Sequence, residues 1–227
     1  RCNKFFIGLL AVLLFYAGQV FYAVALPGVA HTAPFSPWSF GAYLGRLLPL
    51  VWVGALFFLT FFTSARERRA AVLTAATPAD PRRYALARCA AALVGVALLC
   101  LAALALAALL YARLFGWTDW GTLALPALVT LAPPLVFALG SGWLLGRLRP
   151  WLLYVWMLLP FALAALPLPE ALGLWNGGLC TSYPLTLGML DPAFSLPAAA
   201  WAVQGLLLAA GVLLLLVAGK GKKVYNQ

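Results

Sequence analysis

The feature of this sequence that most constrains its fold is a series of six long apolar stretches. Five of them contain no Asp, Glu, Lys or Arg, and the second contains only Arg46. Each has the roughly 17–25 residues that an α-helix needs to cross a hydrocarbon core of about 30 Å. Helices are expected because they satisfy every backbone N–H within their own segment. The stretches occupy residues 5–26, 44–63, 89–112, 122–145, 151–168 and 197–218.

The composition agrees with a lipid-facing surface. Of the 227 residues, 65% are hydrophobic and 9% are charged, and the mean hydropathy is +1.00. Strands would show alternating polarity, and runs such as CAAALVGVALLCLAALALAALL have none. We therefore predict an all-α integral membrane protein, a single transmembrane domain over residues 1–227 with six transmembrane helices.

The basic residues predict the orientation of these helices. With a cytoplasmic N-terminus, all 15 Lys and Arg residues lie inside except Arg46 and Arg113. Arg46 then lies at the start of the second stretch, where its side chain can extend to the interface. By the positive-inside rule, both termini are expected in the cytoplasm. The charges sit in short blocks between apolar stretches, which favours a membrane role and argues against nucleic acid as a partner.

Residues 64–88 form the most polar part of the chain and divide into two pieces. The first piece, 65–76, is rich in helix-forming residues, and Pro78 ends it by disfavouring helical conformation at Thr77. Asp80 can cap a second helix that has Pro81 at its first position. We predict a short amphipathic helix along the membrane surface, a break, and re-entry into the third span.

The connection at 169–196, here called the outer segment, is mostly apolar and is broken by Gly and Pro. Such a segment is expected to lie at the membrane surface or to re-enter it.

Several kinds of chemistry are disfavoured by the residues present. The five acidic residues lie outside the six stretches, which argues against an ion-coupled carrier. One histidine and four cysteines without metal-type spacing predict neither a metal site nor a catalytic site. No GxxxxGK[ST] occurs, so ATP would have to be bound by another chain.

The polar stretch resembles the cytoplasmic loop of type 2 ABC exporter permeases. Arg66-Glu67-Arg68 matches the opening of that loop, and Leu73 falls in its Leu-rich turn. Two positions differ from the family pattern. Arg69 stands where the family usually has Gly, and Val72 stands where it often has Glu. Further matches are the break at Thr77-Pro78, Asp80 in place of a capping Ser, and the basic residues Arg82 and Arg88. Tyr183-Pro184-Leu185-Thr186 resembles a motif that precedes the last span in the family.

The resemblance implies a coupling helix that docks on a separate ATPase subunit. The implied docking residues are Arg66, Glu67, Arg68, Arg69, Val72, Leu73, Thr77 and Pro78. The resemblance also implies basic residues at the membrane surface, namely Arg82, Arg83 and Arg88. In the outer segment, which corresponds to the family's outer loop, it singles out Tyr183 and Pro184.

The function implied is that of a permease subunit in a bacterial plasma membrane, exporting a lipid, peptide antibiotic or drug. It would pair with a second permease and an ABC ATPase that binds ATP and Mg, with no cofactor or enzymatic activity of its own. The alternative is a non-transporting immunity, sensor or scaffold protein, because arginines beside a span are also what topology alone requires.

Overall fold

The computed structural model describes residues 2–63 and 81–219, and in that part of the chain the fold is all-α with no strand. The first long helix is followed directly by a π-helical turn, Phe21–Ala25, and a 3-10 helix spans Glu170–Trp175. The α-helices are α1 Cys2–Val20, α2 Pro37–Thr63, α3 Pro81–Phe115, α4 Gly121–Leu148, α5 Trp151–Ala165, α6 Gly178–Thr186 and α7 Ala198–Gly219.

Five of these helical segments are long and apolar enough to cross a membrane. They are Lys4–Ala25, Pro37–Phe62, Ala87–Phe115, Gly121–Leu148 and Ala198–Val217. Helix α5 occupies the predicted fifth stretch but has only 15 residues, with Pro160 inside it. At 1.5 Å per residue it is about 22 Å long, shorter than a typical hydrocarbon core. A sixth crossing therefore stays a prediction.

The second long helix begins earlier than the second apolar stretch. Helix α2 begins at Pro37, seven residues before the predicted residue 44. The physical reason is a local start signal, since Ser36 Oγ accepts a hydrogen bond from Trp38 N at 3.4 Å while Pro37 stands at the first helical position. Arg46 consequently lies nine residues inside the helix and not at its start.

Helix α3 begins at Pro81, as predicted for the second piece of the polar stretch. It then continues without a break to Phe115, so the predicted third span, 89–112, is the middle of one 35-residue helix. The absence of Gly and Pro between 82 and 94 explains this continuity. The surface helix predicted at 65–76 lies outside the described residues and stays a prediction.

Helix α2 lies at the centre, and α1 runs antiparallel to it. The rings of Phe5 and Phe57 are 6.4 Å apart near one end of the pair, and those of Phe21 and Tyr43 are 5.9 Å apart near the other. Most of α2 is buried, whereas most of α1 faces outward. The exposed face of α1 is apolar and suits contact with lipid.

Helix α3 is also antiparallel to α2, and α4 is parallel to it. Gly95 of α3 packs on the ring of Phe58, and Tyr111 lies beside Phe40 with ring centroids 6.2 Å apart. Gly142 of α4 packs against Leu56. Since α2 and α4 are the two most buried spans, they form the core on which the other helices pack.

Helices α4 and α7 run parallel with their backbones in contact. A Cβ atom added to Gly140 would lie 2.5 Å from the carbonyl oxygen of Gly211, and one added to Gly211 would lie 2.6 Å from the nitrogen of Phe137. Only glycine allows helices to approach this closely.

Candidate functional site

The predicted docking residues between Arg66 and Pro78 lie outside the described residues, and their arrangement stays a prediction. Arg82 and Arg83 lie in the first turn of α3. Arg88 is half-buried near the beginning of the same helix.

Charged residues are separated between the two ends of the helical bundle. The helix directions bring the start of α1, the end of α2, the start of α3 and the end of α4 together, and this end is here called the basic end. The described acidic residues lie at the opposite end, here called the acidic end, in the connections after α3, after α5 and after α6. The basic end holds Lys4, Arg82, Arg83, Arg88, Arg147 and Arg149, and the acidic end holds Arg113, Asp119, Glu170 and Asp191.

The outer segment packs its backbone directly on α2. A Cβ atom added to Gly45 would lie 2.5 Å from the nitrogen and 2.7 Å from the Cα atom of Gly177. Gly177 itself has a φ of +75°, in the left-handed region that favours glycine. One turn earlier, Gly41 of α2 faces the sulfur of Cys180. The sequence pattern Gly41-xxx-Gly45 therefore serves contact with this segment.

Trp38, at the start of α2, holds the last part of the outer segment. Its side chain is completely buried, and its Nε1 donates a hydrogen bond to the carbonyl oxygen of Pro192 at 2.8 Å. Its ring centroid lies 4.7 Å from that of Phe194 and 5.9 Å from that of Tyr183. Tyr183 is half-buried in α6, and the neighbouring Pro184 is buried.

Cys180 is a nucleophilic side chain near this contact, but its environment does not favour reactivity. The residue is fully buried among apolar side chains. Burial raises the pKa of the Cys180 thiol to about 12. It therefore remains protonated near neutral pH, which suits a packing role.

A cavity of about 340 Å³, here called the Arg46 cavity, lies where α1, α2, α5 and the outer segment meet. Arg46 is the only charged residue in its lining, and Tyr16 and Asn176 are its other long polar side chains. The hydroxyl of Tyr16 donates to the backbone carbonyl oxygen of Arg46 at 3.4 Å. The rest of the lining is Val12, Gly45, Pro49, Leu50, Phe161 and Ala164.

A second opening is a groove between α3 and α4, here called the apolar groove. It comprises two adjoining cavities of about 330 and 460 Å³, both lined by Leu104, Ala124 and Ala127. The lining contains no charged residue; Tyr111 and Trp120 stand toward one end, and Leu93 and Leu139 toward the other. Such a groove can accommodate acyl chains but offers nothing to select a headgroup.

Three buried polar groups have no hydrogen-bond partner within the described part of the chain. They are the hydroxyl of Thr130 in α4, the indole N–H of Trp175, and both polar atoms of the Gln204 amide in α7. Gln204 is 2% exposed and lies on the face of α7 that also carries Ala200 and Gly211. The sequence interpretation missed Gln204 because it considered only ionisable residues inside the spans. The sequence does carry a signal for this residue, because Gln204 is an amide side chain in the otherwise apolar stretch 197–218.

Among the described residues, no group of three or more His, Cys, Asp or Glu side chains is arranged to hold a metal ion. Comparisons with protein families, with curated proteins and with solved structures find no match to this chain.

Proposed function

We propose that this chain is the membrane-spanning permease subunit of an ATP-driven exporter of the type 2 ABC class. In this proposal the polar loop between α2 and α3 docks on a separate ATPase subunit that binds ATP and Mg. A second permease, identical or different, completes the complex, and the substrate is an amphiphile such as a lipid, a peptide antibiotic or a drug. The proposed setting is a bacterial plasma membrane with both termini in the cytoplasm.

The observation that carries the proposal is the separation of charge along the bundle. The loop with the family-like motif connects α2 and α3 at the basic end, where Lys4, Arg88, Arg147 and Arg149 also lie. This separation supports a cytoplasmic position for the loop through the positive-inside rule.

Helix α3 offers a mechanical route from the loop to the bundle. It begins at Pro81, six residues before the apolar span that starts at Ala87. These residues add about 9 Å of continuous helix ahead of the span. Because the helix is unbroken to Phe115, a displacement of its first turn can be transmitted along its full length to the acidic end.

Charge reversal in the loop tests the docking role. We expect replacement of Arg66, Arg68 and Arg69 by Glu to abolish co-purification of the ATPase from native membranes in mild detergent, while membrane insertion is retained. The matched control is Arg147→Glu with Arg149→Glu, which changes charge at the same end of the bundle outside the motif. Unchanged ATPase recovery with the triple variant would refute docking by these residues.

Absence of any ATPase from the wild-type purification, with the protein intact, would refute the exporter. The non-transporting immunity, sensor or scaffold alternative would then be preferred.

A further inference from the structure

We propose that the Arg46 cavity binds the anionic, phosphate-bearing headgroup of a membrane amphiphile. Arg46 is the only exposed side chain of α2 between Pro37 and Phe62. No described residue forms an ion pair with it, and no acidic residue lines the cavity. An unpaired cation within a membrane span is costly, so such residues commonly mark a ligand or ion site.

Arg46 lies within the α2 span, close enough to the acidic end for its long side chain to reach the headgroup region. The 27 residues of α2 form a helix about 40 Å long, roughly 10 Å more than the hydrocarbon core. Arg46 lies nine residues, or about 13 Å, from the start of α2. Side chains of a helix lean toward its N-terminus, which here is at the acidic end. The guanidinium group can therefore extend toward the polar boundary of the bilayer.

Asn176 supplies a second hydrogen-bond donor to the lining of the Arg46 cavity. Its Oδ1 accepts a hydrogen bond from the backbone N–H of Gly178 at 2.8 Å, which fixes the amide orientation. The Nδ2 group has no acceptor among the described residues and is left to donate to a ligand. A cavity lined by both an arginine and an amide donor favours a phosphate group, because phosphate offers several acceptor oxygens to the planar, bidentate guanidinium.

The walls of the cavity indicate that the ligand arrives from the membrane. Val12 and Phe161 line the cavity and are 56% and 49% exposed on the apolar surface of the bundle. The cavity is therefore continuous with the lipid-facing surface. A volume of about 340 Å³ suits a headgroup, with the acyl chains running past Val12 and Phe161 into the bilayer.

This site requires neither an ATPase nor transport, so it is independent of the exporter proposal. An exporter of amphiphiles could use it to recruit substrate, and a scaffold could use it to bind lipid. Binding by the isolated permease tests the site alone, and ATPase co-purification tests the exporter alone.

The test is lipid binding to the purified full-length protein in a neutral detergent, measured by native mass spectrometry with phosphatidylglycerol and with phosphatidylcholine. We expect about tenfold tighter binding of phosphatidylglycerol, because its headgroup is a net anion whereas the choline of phosphatidylcholine offsets the charge of its phosphate, and a contact to a charged group contributes about a factor of ten. Arg46→Met should abolish the preference, and Arg46→Lys should retain part of it. The matched control Arg113→Met removes an exposed arginine near the same end of the bundle and should leave the preference intact.

Asn176→Asp provides a second variant that keeps the acceptor for Gly178 N–H and places a negative charge in the cavity. It should remove phosphatidylglycerol binding while the protein remains folded by size-exclusion chromatography. Millimolar inorganic phosphate should not compete, because the apolar contacts are part of the site. Equal loss with Arg113→Met, unchanged binding with Arg46→Met or Asn176→Asp, or full competition by inorganic phosphate would each overturn the proposal.

Discussion

Arg46 and Gln204 are both unpaired polar side chains in apolar helices, but they lie in opposite surroundings. Arg46 is exposed on α2 at a cavity that is continuous with the lipid-facing surface. Gln204 is 2% exposed and faces α4 within the bundle. A lipid headgroup can pair with Arg46, whereas only water or a rearranged helix contact can pair with Gln204. The comparison shows that an unpaired group indicates a ligand site only where a ligand can reach it.

The elements around the two residues also differ in how closely they pack. Beside Arg46, the backbone of the outer segment touches α2 at Gly45, and this contact brings Asn176 to the cavity. Beside Gln204, the unusual feature is in α4, where Pro133 and Pro134 interrupt the helical hydrogen bonds. Proline removes the N–H that would otherwise pair with the carbonyl oxygen four residues earlier. The carbonyl groups of Val129 and Thr130 are thereby left without their helical donors.

The largest effect is expected from Gly45→Leu. The new side chain would overlap the backbone of Gly177, which cannot move aside as a flexible side chain could. We expect a loss of about 3 kcal/mol or more in the free energy of unfolding, measured as a lower melting temperature and less monodisperse protein in detergent. Gly205→Leu is the matched control, because a Cβ atom at Gly205 meets nothing within 4 Å. Equal behaviour of the two variants would contradict the backbone contact between α2 and the outer segment.

A smaller change, in the opposite direction, is expected for Gln204→Met. Methionine has a similar volume and removes the two unpaired polar atoms. The free energy of unfolding should rise by about 1–3 kcal/mol, the usual cost of an unsatisfied buried polar group. The check is a higher melting temperature in detergent. A lower melting temperature would instead show that the amide is paired, by water or by a rearranged helix contact, in the folded protein.

The smallest effect on the free energy of unfolding is expected for Trp38→Phe. This substitution removes a buried donor that has a hydrogen-bond partner, whereas Gln204→Met removes one that has none. The variant loses the hydrogen bond from Nε1 to the carbonyl oxygen of Pro192 and keeps most of the ring contacts. We expect the free energy of unfolding to fall by about 1 kcal/mol, seen as a modest decrease in melting temperature. Trp201→Phe is the control, since Trp201 is 46% exposed on α7. A Trp38→Phe protein as stable as this control would mean that the indole N–H does not anchor the outer segment.

Hydropathy and local start signals could predict much of the helical framework. The apolar stretches located five long helices, and the combination of Asp80 and Pro81 indicated the start of α3. The start of α2 was missed because residues 37–43 mix polar, small and aromatic side chains. The signal for this start is Ser36 followed by Pro37. The predicted docking motif at 66–78 lies outside the described residues and stays a prediction.

The candidate site could not be predicted in the same way, because it joins residues that are distant in the chain. Arg46 was expected to lie at a helix start and to extend freely to the interface. Its position beside Asn176 depends on Gly45 and Gly177, whose backbones meet only in the folded bundle. Nothing in the local sequence around Arg46 indicates a second donor 130 residues away.

The sequence by itself determined that this chain is helical, that most of its surface is apolar, and that its charges lie in separate blocks. These properties follow from composition and periodicity, which act within one segment at a time. The tertiary structure decided that α2 is buried while α3 faces outward, although both are apolar. It also decided that Arg46 is exposed while Gln204 is enclosed. The physical reason is that burial depends on which helices pack together, and close packing here depends on a few glycines whose partners are far away in the sequence.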